Sequence, residues 1–552
     1  MADAFLGLNI GLRGLYSALK NLDVINHNIN NINTPGYSRQ LAVQVASDPM
    51  PIYDGTGMVG TGSNIVTIDR IRDEYLDFKF WSESNALGES EAKKTLLTNL
   101  EGAFNEPSEN GFNKITNDFF GAFQELAKDP SSPALRALVR ENGVTLTKYY
   151  NTLAYQMEKS QTDMNYQLNV KVGDVNSLGV QIQKLNEQIY SAELDGNVAN
   201  DLRDKRTLLI DKMSKIINID VSEVSTGKLS SGKEDKRLLI TISGKPIIDH
   251  FQLTKLVVKK RDTKLNEEDV DNLYQVEWED GNQLKIKGGE LKGYLDVRDG
   301  NEGENGSPIF KGVPYYIKKI NEYVSTFAMA INEGYIDKNS NGIIGTDEDD
   351  AGHADGFGID PDGVDGSLTA PTNIRFFTFN DSNGNPISSS DFIGLATGIE
   401  DDPLTLDINE SIPDKYKNIT AKNFSISNEI LTDYNAVAIS SDENQVGNID
   451  ILNKILELRH SDTMFSEGAP EDFMKSIVTT LGIDAQQAER INQIQIAIVK
   501  QVENNKLSYS GVSQDEEIAN MVKYQQSYSA AAKMISTMAE IYDILINKIG
   551  SR

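Results

Sequence analysis

The residues best suited to chemistry form a run of oxygen-bearing side chains, DKNSNGIIGTDE, at residues 337–348. Their spacing matches a calcium loop, in which oxygen ligands alternate along the chain, a glycine permits a sharp turn and a final glutamate binds through both oxygens. The segment that follows is too rich in Gly and Asp to form the exit helix of an EF-hand, so an Asx-rich turn closing a long helix remains the alternative. The candidate ligands are Asp337, Asn339, Asn341, Ile343 through its carbonyl, and Glu348.

Other motifs that could support catalysis are incomplete. GTGMVG at residues 55–60 has the spacing of a dinucleotide fingerprint, but the strand-like SNIVTIDRI follows it where a helix is required. SALK at residues 17–20 lies on a helix and has no second catalytic motif. The four histidines are scattered, and none belongs to an HExxH sequence. We therefore predict no catalytic residues, no enzyme activity, and no cofactor apart from the candidate calcium ion.

Composition limits the class of partner. The chain has 53 Lys and Arg against 82 Asp and Glu, a formal charge of −29, which disfavours binding to nucleic acid or to anionic membranes. It has no cysteine, which excludes disulfides and thiolate metal sites and suits an oxidising, extracellular environment. The first twenty residues lack the basic and apolar regions of a cleavable signal, and no apolar run is long enough to span a membrane.

Both ends of the chain have the apolar spacing of coiled-coil helices. Ser513 and Glu516 have the spacing of a capping box at the start of the C-terminal helix. Neither helix is expected to be stable alone, because its apolar stripe would face water, so each is the other's candidate partner. The predicted seam consists of Phe5, Leu8, Leu12, Leu15, Leu19, Leu22, Asn26 and Ile29 at one end, and Tyr528, Ala531, Ile535, Met538, Tyr542, Leu545 and Ile549 at the other.

A second helical layer is expected inside the first. Heptad spacing runs from Met164 to Ile189, and Ile491, Ile494 and Ile498 are its predicted partners on the C-terminal side. Between these layers the pattern changes to alternating residues and turns, with SGK and DGN as hairpin signals. A long helix and an acidic, Gly-rich tract follow.

We therefore predict an α+β fold, in which the N- and C-terminal helices pair as a coiled-coil or helical-bundle stalk and one or two central β-rich domains are inserted. The expected divisions are an axial helix with an Asn-rich turn (1–60), a helical bundle (61–220), a β-rich domain (221–310), a returning long helix (311–342), an acidic β-rich outer domain (343–444), the second part of the bundle (445–510) and a C-terminal axial helix (511–552).

The densest cluster of asparagines, NHNINNINTPGYSRQ at residues 26–40, ends the first helix. Such a cluster could mark a fraying helix end, or it could form hydrogen bonds between neighbouring copies. The segment resembles the N-terminal motif of flagellar rod, hook and hook-associated proteins. On that resemblance the expected assembly interface includes the seam above together with Asn30, Asn33, Pro35, Gly36 and Tyr37.

Further segments resemble the flagellar hook-associated protein 1 family in particular. They are NDLRDKRTLLIDKMSKIINIDVSE at residues 200–223, GGELKGYLDVRD, and the C-terminal SGVSQDEEIANMVKYQQSYSAAAKMISTMAEIYDILINKI. Members of that family have a Gly-aromatic-Asp turn after the long helix, matched here by Gly334, Tyr335 and Asp337, which favours a turn over a calcium site. Members pass quickly to a Phe-Phe pair, here Phe376 and Phe377, whereas this chain inserts an acidic tract.

The resemblance implies a noncatalytic ring of subunits at the junction between the flagellar hook and filament. Its implied partners are further copies of the chain, the hook protein, the second hook-filament junction protein and a cytoplasmic export chaperone. It implies an extracellular place on the flagellum, reached through the flagellar secretion apparatus. The alternatives are another flagellar axial protein, such as the second junction protein or the hook, and a calcium-dependent extracellular adhesin that uses residues 337–348.

Overall fold

A computed structural model of the chain describes residues 6–51, 57–104, 111–228, 234–334, 351–359, 370–394, 414–443, 445–462 and 464–544. The helices are α1 (Leu6–Asn30), α2 (Glu74–Phe104), α3 (Phe112–Leu126), α4 (Pro133–Glu193), α5 (Asn200–Ile216), α6 (Glu290–Asp299), α7 (Val313–Glu333), α8 (Ser389–Gly394), α9 (Asp414–Lys417), α10 (Asn428–Thr432), α11 (Asp450–Leu458), α12 (Pro470–Ser510) and α13 (Gln514–Asp543). The strands are β1 (Gln40–Ala46), β2 (Met50–Pro51), β3 (Met58–Val59), β4 (Ser63–Arg70), β5 (Asp220–Lys228), β6 (Glu234–Ile242), β7 (Lys245–Asp249), β8 (Gln252–Leu253), β9 (Leu256–Lys260), β10 (Tyr274–Trp278), β11 (Phe377–Phe379) and β12 (Phe424–Ile426).

The elements form two parts, which we call the stalk and the body. The stalk comprises α1, α13 and the hairpin of β1 to β4, and the body comprises the other elements. In the stalk α13 packs along α1, and the hairpin lies against another side of α1. The predicted pairing of the terminal helices and the α+β class are confirmed. The chain crosses between stalk and body after β4 and again between α12 and α13.

The body is organised around α4, whose 61 residues span about 90 Å. Proline at its first position suits a helix start, because that residue has no intrahelical N–H partner. The first half of α4 packs in an apolar cluster with α3, α7, α11 and the start of α12. Its second half packs with α5, α6 and the sheet strands β6 and β7. One continuous helix thus joins two separate cores.

The β-rich region is a four-stranded antiparallel sheet in the order β5-β6-β7-β8, with β9 and β10 as a separate pair. The alternating burial of β6 places Leu238, Ile240 and Ile242 in the second core. This observation agrees with the alternating pattern that predicted strands in this region. The β5–β6 ribbon extends beyond the core, because most residues of β5 are exposed.

Four expectations about organisation need correction. The division at residue 60 falls inside a hairpin, because β1 pairs antiparallel with β4 across it. The returning helix ends at Glu333, where Gly334 has φ +94°, and not at 342. The predicted pairing of Ile491, Ile494 and Ile498 with α4 is wrong, because α12 packs along α2.

The expected acidic β-rich outer domain also differs from the structure. Within the described parts of 343–444 the named strands are two three-residue segments, β11 and β12. Phe376, Phe377 and Phe424 share the first core with α3 and α7. This region therefore packs on the helical body, because its aromatic side chains are buried there and not in a core of its own. Its acidic tracts lie outside the described residues.

Candidate assembly interface

The two stalk helices approach each other through glycines on α1. A Cβ atom placed on Gly7 would lie 2.7 Å from Met538 Cε, and one on Gly11 would lie 3.0 Å from Ile535 Cγ1. Gly14 is less confined, since its Cβ would lie 3.7 Å from the Cβ of Ala531. Small residues at alternating spacings of four and three let two helix backbones come close together. The buried residues Ala18, Asn21, Ile25 and Asn28 continue the same spacing along α1.

This contact face is shifted by one residue from the leucine seam that the sequence predicted. Leu12 is 40% exposed, Leu19 is 43% exposed, and Asn26 is also exposed. Leu8, Leu15, Leu22 and Ile29 are half-buried beside the contact. A shift of one residue turns a helix by about 100°, so the leucines lie beside the helix pair and not between its members. Phe5 lies outside the described residues.

The predicted residues of α13 are placed mostly as expected. Ile535, Met538 and Tyr542 are half-buried, and the first two contact the α1 glycines. Tyr528 remains 38% exposed. Ser513 Oγ accepts a hydrogen bond from the N–H of Glu516 at 3.5 Å, which is half of the predicted capping box. Leu545 and Ile549 lie outside the described residues.

The hairpin adds a third layer to the stalk. Arg13 donates to Thr61 Oγ1 at 3.0 Å, and Ser17 Oγ donates to the carbonyl of Ser63 at 3.0 Å, so polar contacts hold the hairpin on α1. The short strands β2 and β3 pair antiparallel within the same hairpin. Its outer face exposes Val45, Met50, Met58 and Val66.

Within the asparagine cluster, Asn28 acts as a strand partner inside its own chain. It is 1% exposed, its Nδ2 donates to the carbonyl of Gln40 at 2.9 Å, and its Oδ1 accepts from the Gln40 N–H at 2.9 Å. Tyr37 donates its hydroxyl to the same Oδ1 at 2.8 Å. Burial, together with the carboxylates of Asp201 and Asp204, raises the pKa of Tyr37 well above its usual value, so the hydroxyl keeps its proton.

The other residues predicted for this turn face solvent in the single chain. Asn30, Asn33 and Pro35 are exposed, and Gly36 adopts φ +76°, a left-handed conformation that favours glycine. The bonds of Asn28 argue against a fraying helix end, and hydrogen bonds between neighbouring copies stay a prediction. Asn28 fixes the helix end to β1 within the chain, whereas the exposed amides remain available to neighbouring copies.

A charged joint lies where the chain crosses between stalk and body. Arg39 donates to Glu517 at 2.7 Å and to Glu516 at 2.8 Å, and Glu517 is only 1% exposed. Arg72 pairs with Asp77 through both nitrogens at 2.5 and 2.8 Å. Sequence reasoning missed the Arg39 contacts, because single charges separated by hundreds of positions show no local spacing.

The body has its own exposed apolar stripe on α12. Ile483, Ile491 and Ile494 are 56%, 48% and 54% exposed. The contact of α12 with α2 includes a hydrogen bond of 3.3 Å from Ser90 to Asn492, and Leu481 shares the first core with Leu97 of α2.

The candidate calcium ligands all fall within 335–350, outside the described residues, so their prediction remains untested. Within the described part of the chain, no group of three or more His, Asp or Glu side chains is arranged to hold a metal ion. The same residues include no helix long and apolar enough to cross a membrane. A cleft of about 810 Å³ lies between α2, α5 and the β5–β6 ribbon.

That cleft is lined mainly by paired charges. Arg203 binds both oxygens of Glu193 at 2.7 and 2.8 Å, and Arg206 pairs with Glu223. Arginine and carboxylate pairs of this kind hold α5 against the end of α4 and against β5.

Comparisons with known proteins agree with this architecture. Residues 97–343 match the family model of the flagellar hook-associated protein FlgK helical domain, and residues 503–548 match that of the flagellar basal body rod FlgEFG protein C-terminal region. The chain is 28% identical over 568 residues to flagellar hook-associated protein 1 of Bacillus subtilis, covering 100% of this chain and 99% of the relative.

More distant relatives align over nearly the same length. The chain is 22% identical to flagellar hook-associated protein 1 of Salmonella typhimurium and 23% identical to that of Escherichia coli, with 98% of this chain and 99% of each relative covered. The solved structure of the flagellar hook junction protein FlgK from Burkholderia pseudomallei has a similar fold, with a TM-score of 0.52, 14% identity, and coverage of 79% of this chain and 100% of that one. Together with the paired terminal helices and the Asn-rich turn, these matches show that the chain is similar over nearly its whole length to members of the flagellar hook-associated protein 1 family.

Proposed function

We propose that this chain is a structural component of the bacterial flagellum that forms the junction between hook and filament by self-assembly of its stalks. The observation that carries the proposal is the position of Leu12 and Leu19. These leucines remain exposed although the partner helix α13 is already in place. Their stripe is therefore available to a neighbouring copy of the chain.

A neighbouring subunit that buries the leucine stripe stabilises the assembly. Burying a fully exposed leucine side chain contributes about 1.5–3 kcal/mol, and covering Leu12 and Leu19 gains the fraction of this that their exposure of 40% and 43% leaves. The hairpin offers a second apolar surface, with Met50 57% and Met58 68% exposed. Subunits that repeat around an axis need two different surfaces that meet head to tail, and the stalk presents two.

The expected neighbours at either end of such a ring are other flagellar axial proteins, namely the hook protein on one side and the second hook-filament junction protein on the other. Before assembly, the same apolar stripes need protection, which a cytoplasmic export chaperone bound to the C-terminal helix would give. The chain would then leave the cell unfolded through the flagellar secretion apparatus. Its role is structural and requires no catalysis.

Electron microscopy of isolated hooks tests this function. Purified full-length protein is compared with a truncated form that lacks residues 1–40 and 513–552. We expect only the full-length protein to form a layer at the hook end. Failure of both proteins would refute the junction role, and capping by both would place the binding surface in the body.

A further inference from the structure

The first turn of α5 connects the body to the stalk through polar side chains. Asn200 Nδ2 donates to the carbonyl of Ile68 in β4 at 2.7 Å. Asp201 accepts from Gln40 Nε2 at 2.7 Å, and it also lies 3.3 Å from His27 at the end of α1. These two residues of the body thus touch three separate segments of the stalk.

Asp204, one turn later on α5, makes the most contacts. Its Oδ2 accepts from the backbone N–H of Ser38 at 2.7 Å, and its Oδ1 accepts from Ser38 Oγ at 2.9 Å and from Arg70 Nη1 at 2.8 Å. Arg72 lies at 3.4 Å from the same oxygen. Asp204 is 4% exposed and Ser38 is 1% exposed, so water cannot readily replace these bonds.

Leu208 of α5 lies beside Gly36 of the turn, but among the described residues the large apolar clusters do not extend from the body into the stalk. The two apolar clusters of the described residues contain side chains from the body alone, and none from α1, from the hairpin or from α13. Apolar burial has no preferred direction, whereas hydrogen bonds to a carboxylate fix both distance and angle. The orientation of the stalk on the body therefore depends on the polar contacts of α5.

We propose that Asn200, Asp201 and Asp204 form a clasp that sets the orientation of the stalk relative to the body, and that Asn200 and Asp204 are positioning residues for assembly. This gives a role to the NDLRDKR segment, which opens α5. The consequence for assembly rests on the junction function proposed above. The orientation itself does not, because it is a property of the single chain.

Distances between two spin labels test the clasp. The chain has no cysteine, so a cysteine introduced for Gln525 on α13 and another for Lys184 on α4 would be the only two thiols, and both positions are exposed. We expect one narrow distance distribution in this labelled protein. In Asn200→Ala with Asp204→Asn the distribution should widen at least two-fold. Lys205→Ala, an exposed position on the same turn, should leave it narrow.

A distance distribution that stays narrow in the double variant would overturn the proposal. A broad distance distribution in the protein with an intact clasp would also overturn it. If Asp204→Asn unfolds the body, as judged by circular dichroism, Asn200→Ala combined with Gln40→Ala decides by the same criterion. Hook capping by the same proteins separates the two proposals. If the unaltered chain fails to cap hooks, the junction function is refuted, whereas the distance result still tests the clasp.

Discussion

Gly11 lies so close to Ile535 that a methyl group on its Cα would come within 3.0 Å of Ile535 Cγ1. This contact defines the stalk, because it brings α1 and α13 together without using the leucines of α1. The leucine stripe remains outside the pair, where a neighbouring subunit can cover it.

Replacement of Gly11 by leucine should separate the two stalk helices. The larger side chain would overlap Ile535 and would also meet the backbone carbonyl of Ala531, which lies 3.7 Å from the added Cβ. Overpacking of this kind costs about 1–3 kcal/mol. Hydrogen exchange of the α13 amides should therefore accelerate. Gly14→Ala is the matched control, because its Cβ has room, and it should slow exchange by removing a glycine that costs a helix about 1 kcal/mol.

Removal of Arg375 should destabilise the body strongly. Its guanidinium pairs with Glu333 at 2.9 and 3.1 Å, and Tyr416 donates to the same carboxylate at 2.5 Å. Arg375 and Glu333 are 3% and 7% exposed, so Arg375→Ala leaves a buried carboxylate without its counter-charge. We expect a loss of about 3–5 kcal/mol in the free energy of unfolding, measured in urea.

The control for this variant is an exposed ion pair. Lys422 pairs with Glu158 at 2.8 Å, but the lysine side chain is 68% exposed. Lys422→Ala should cost less than about 1 kcal/mol. Equal losses from the two variants would mean that the Arg375 pair is no more important than a surface contact.

Acid should weaken the body through His353. Its Nδ1 donates to the carbonyl of Ile374 at 2.6 Å, and its Nε2 accepts from the N–H of Ala438 at 2.9 Å, so the bonded ring is neutral. Burial lowers the pKa of His353 from 6.5 to about 4. Between these values the unfolded state binds more protons, so stability falls as the pH falls, by at most about 3 kcal/mol.

Urea unfolding between pH 7 and pH 4 measures this effect. His353→Asn removes the imidazole, and the variant should lose this part of the pH dependence while being less stable at pH 7. If the free energy of unfolding of His353→Asn depends on pH as steeply as that of the parent protein, other groups cause the acid sensitivity.

Calcium should leave the melting temperature unchanged, because the segment after residues 337–348 is too rich in Gly and Asp to supply the second helix of an EF-hand. Calorimetry with and without millimolar calcium measures the melting temperature. A rise in the parent that disappears in Asp337→Ala would contradict this expectation and would support the adhesin alternative.

The sequence predicted which elements form, but not how they face one another. Heptad spacing located α1 and α13 correctly, yet it placed Leu12 and Leu19 in their contact, where the structure has Gly11 and Gly14. An apolar pattern identifies residues that tend to be buried. It does not show whether the surface that buries them belongs to the same chain or to another chain. The isoleucines of α12 were assigned to the wrong partner for the same reason. The small residues from Gly7 to Ala18 have heptad spacing, and this pattern could have located the contact with α13.

Contacts between distant charges could not be predicted. Asp204 meets Ser38, and Arg39 meets Glu517, across sequence separations of 166 and 478 residues. Only the folded chain brings these pairs together. The role of Asn28 could not be predicted from the sequence either, because most of the neighbouring asparagines have the same side chain but face solvent.

The measurement that tests the central claim most directly is hook capping by Leu12→Asp with Leu19→Asp, observed by electron microscopy. Ile309→Asp is the matched control, because Ile309 is 91% exposed on the body, away from the stripe. If the leucine stripe is the contact between subunits, the double variant should keep its fold by circular dichroism and fail to cap hooks, whereas the control should cap them. Normal capping by the double variant would contradict the account.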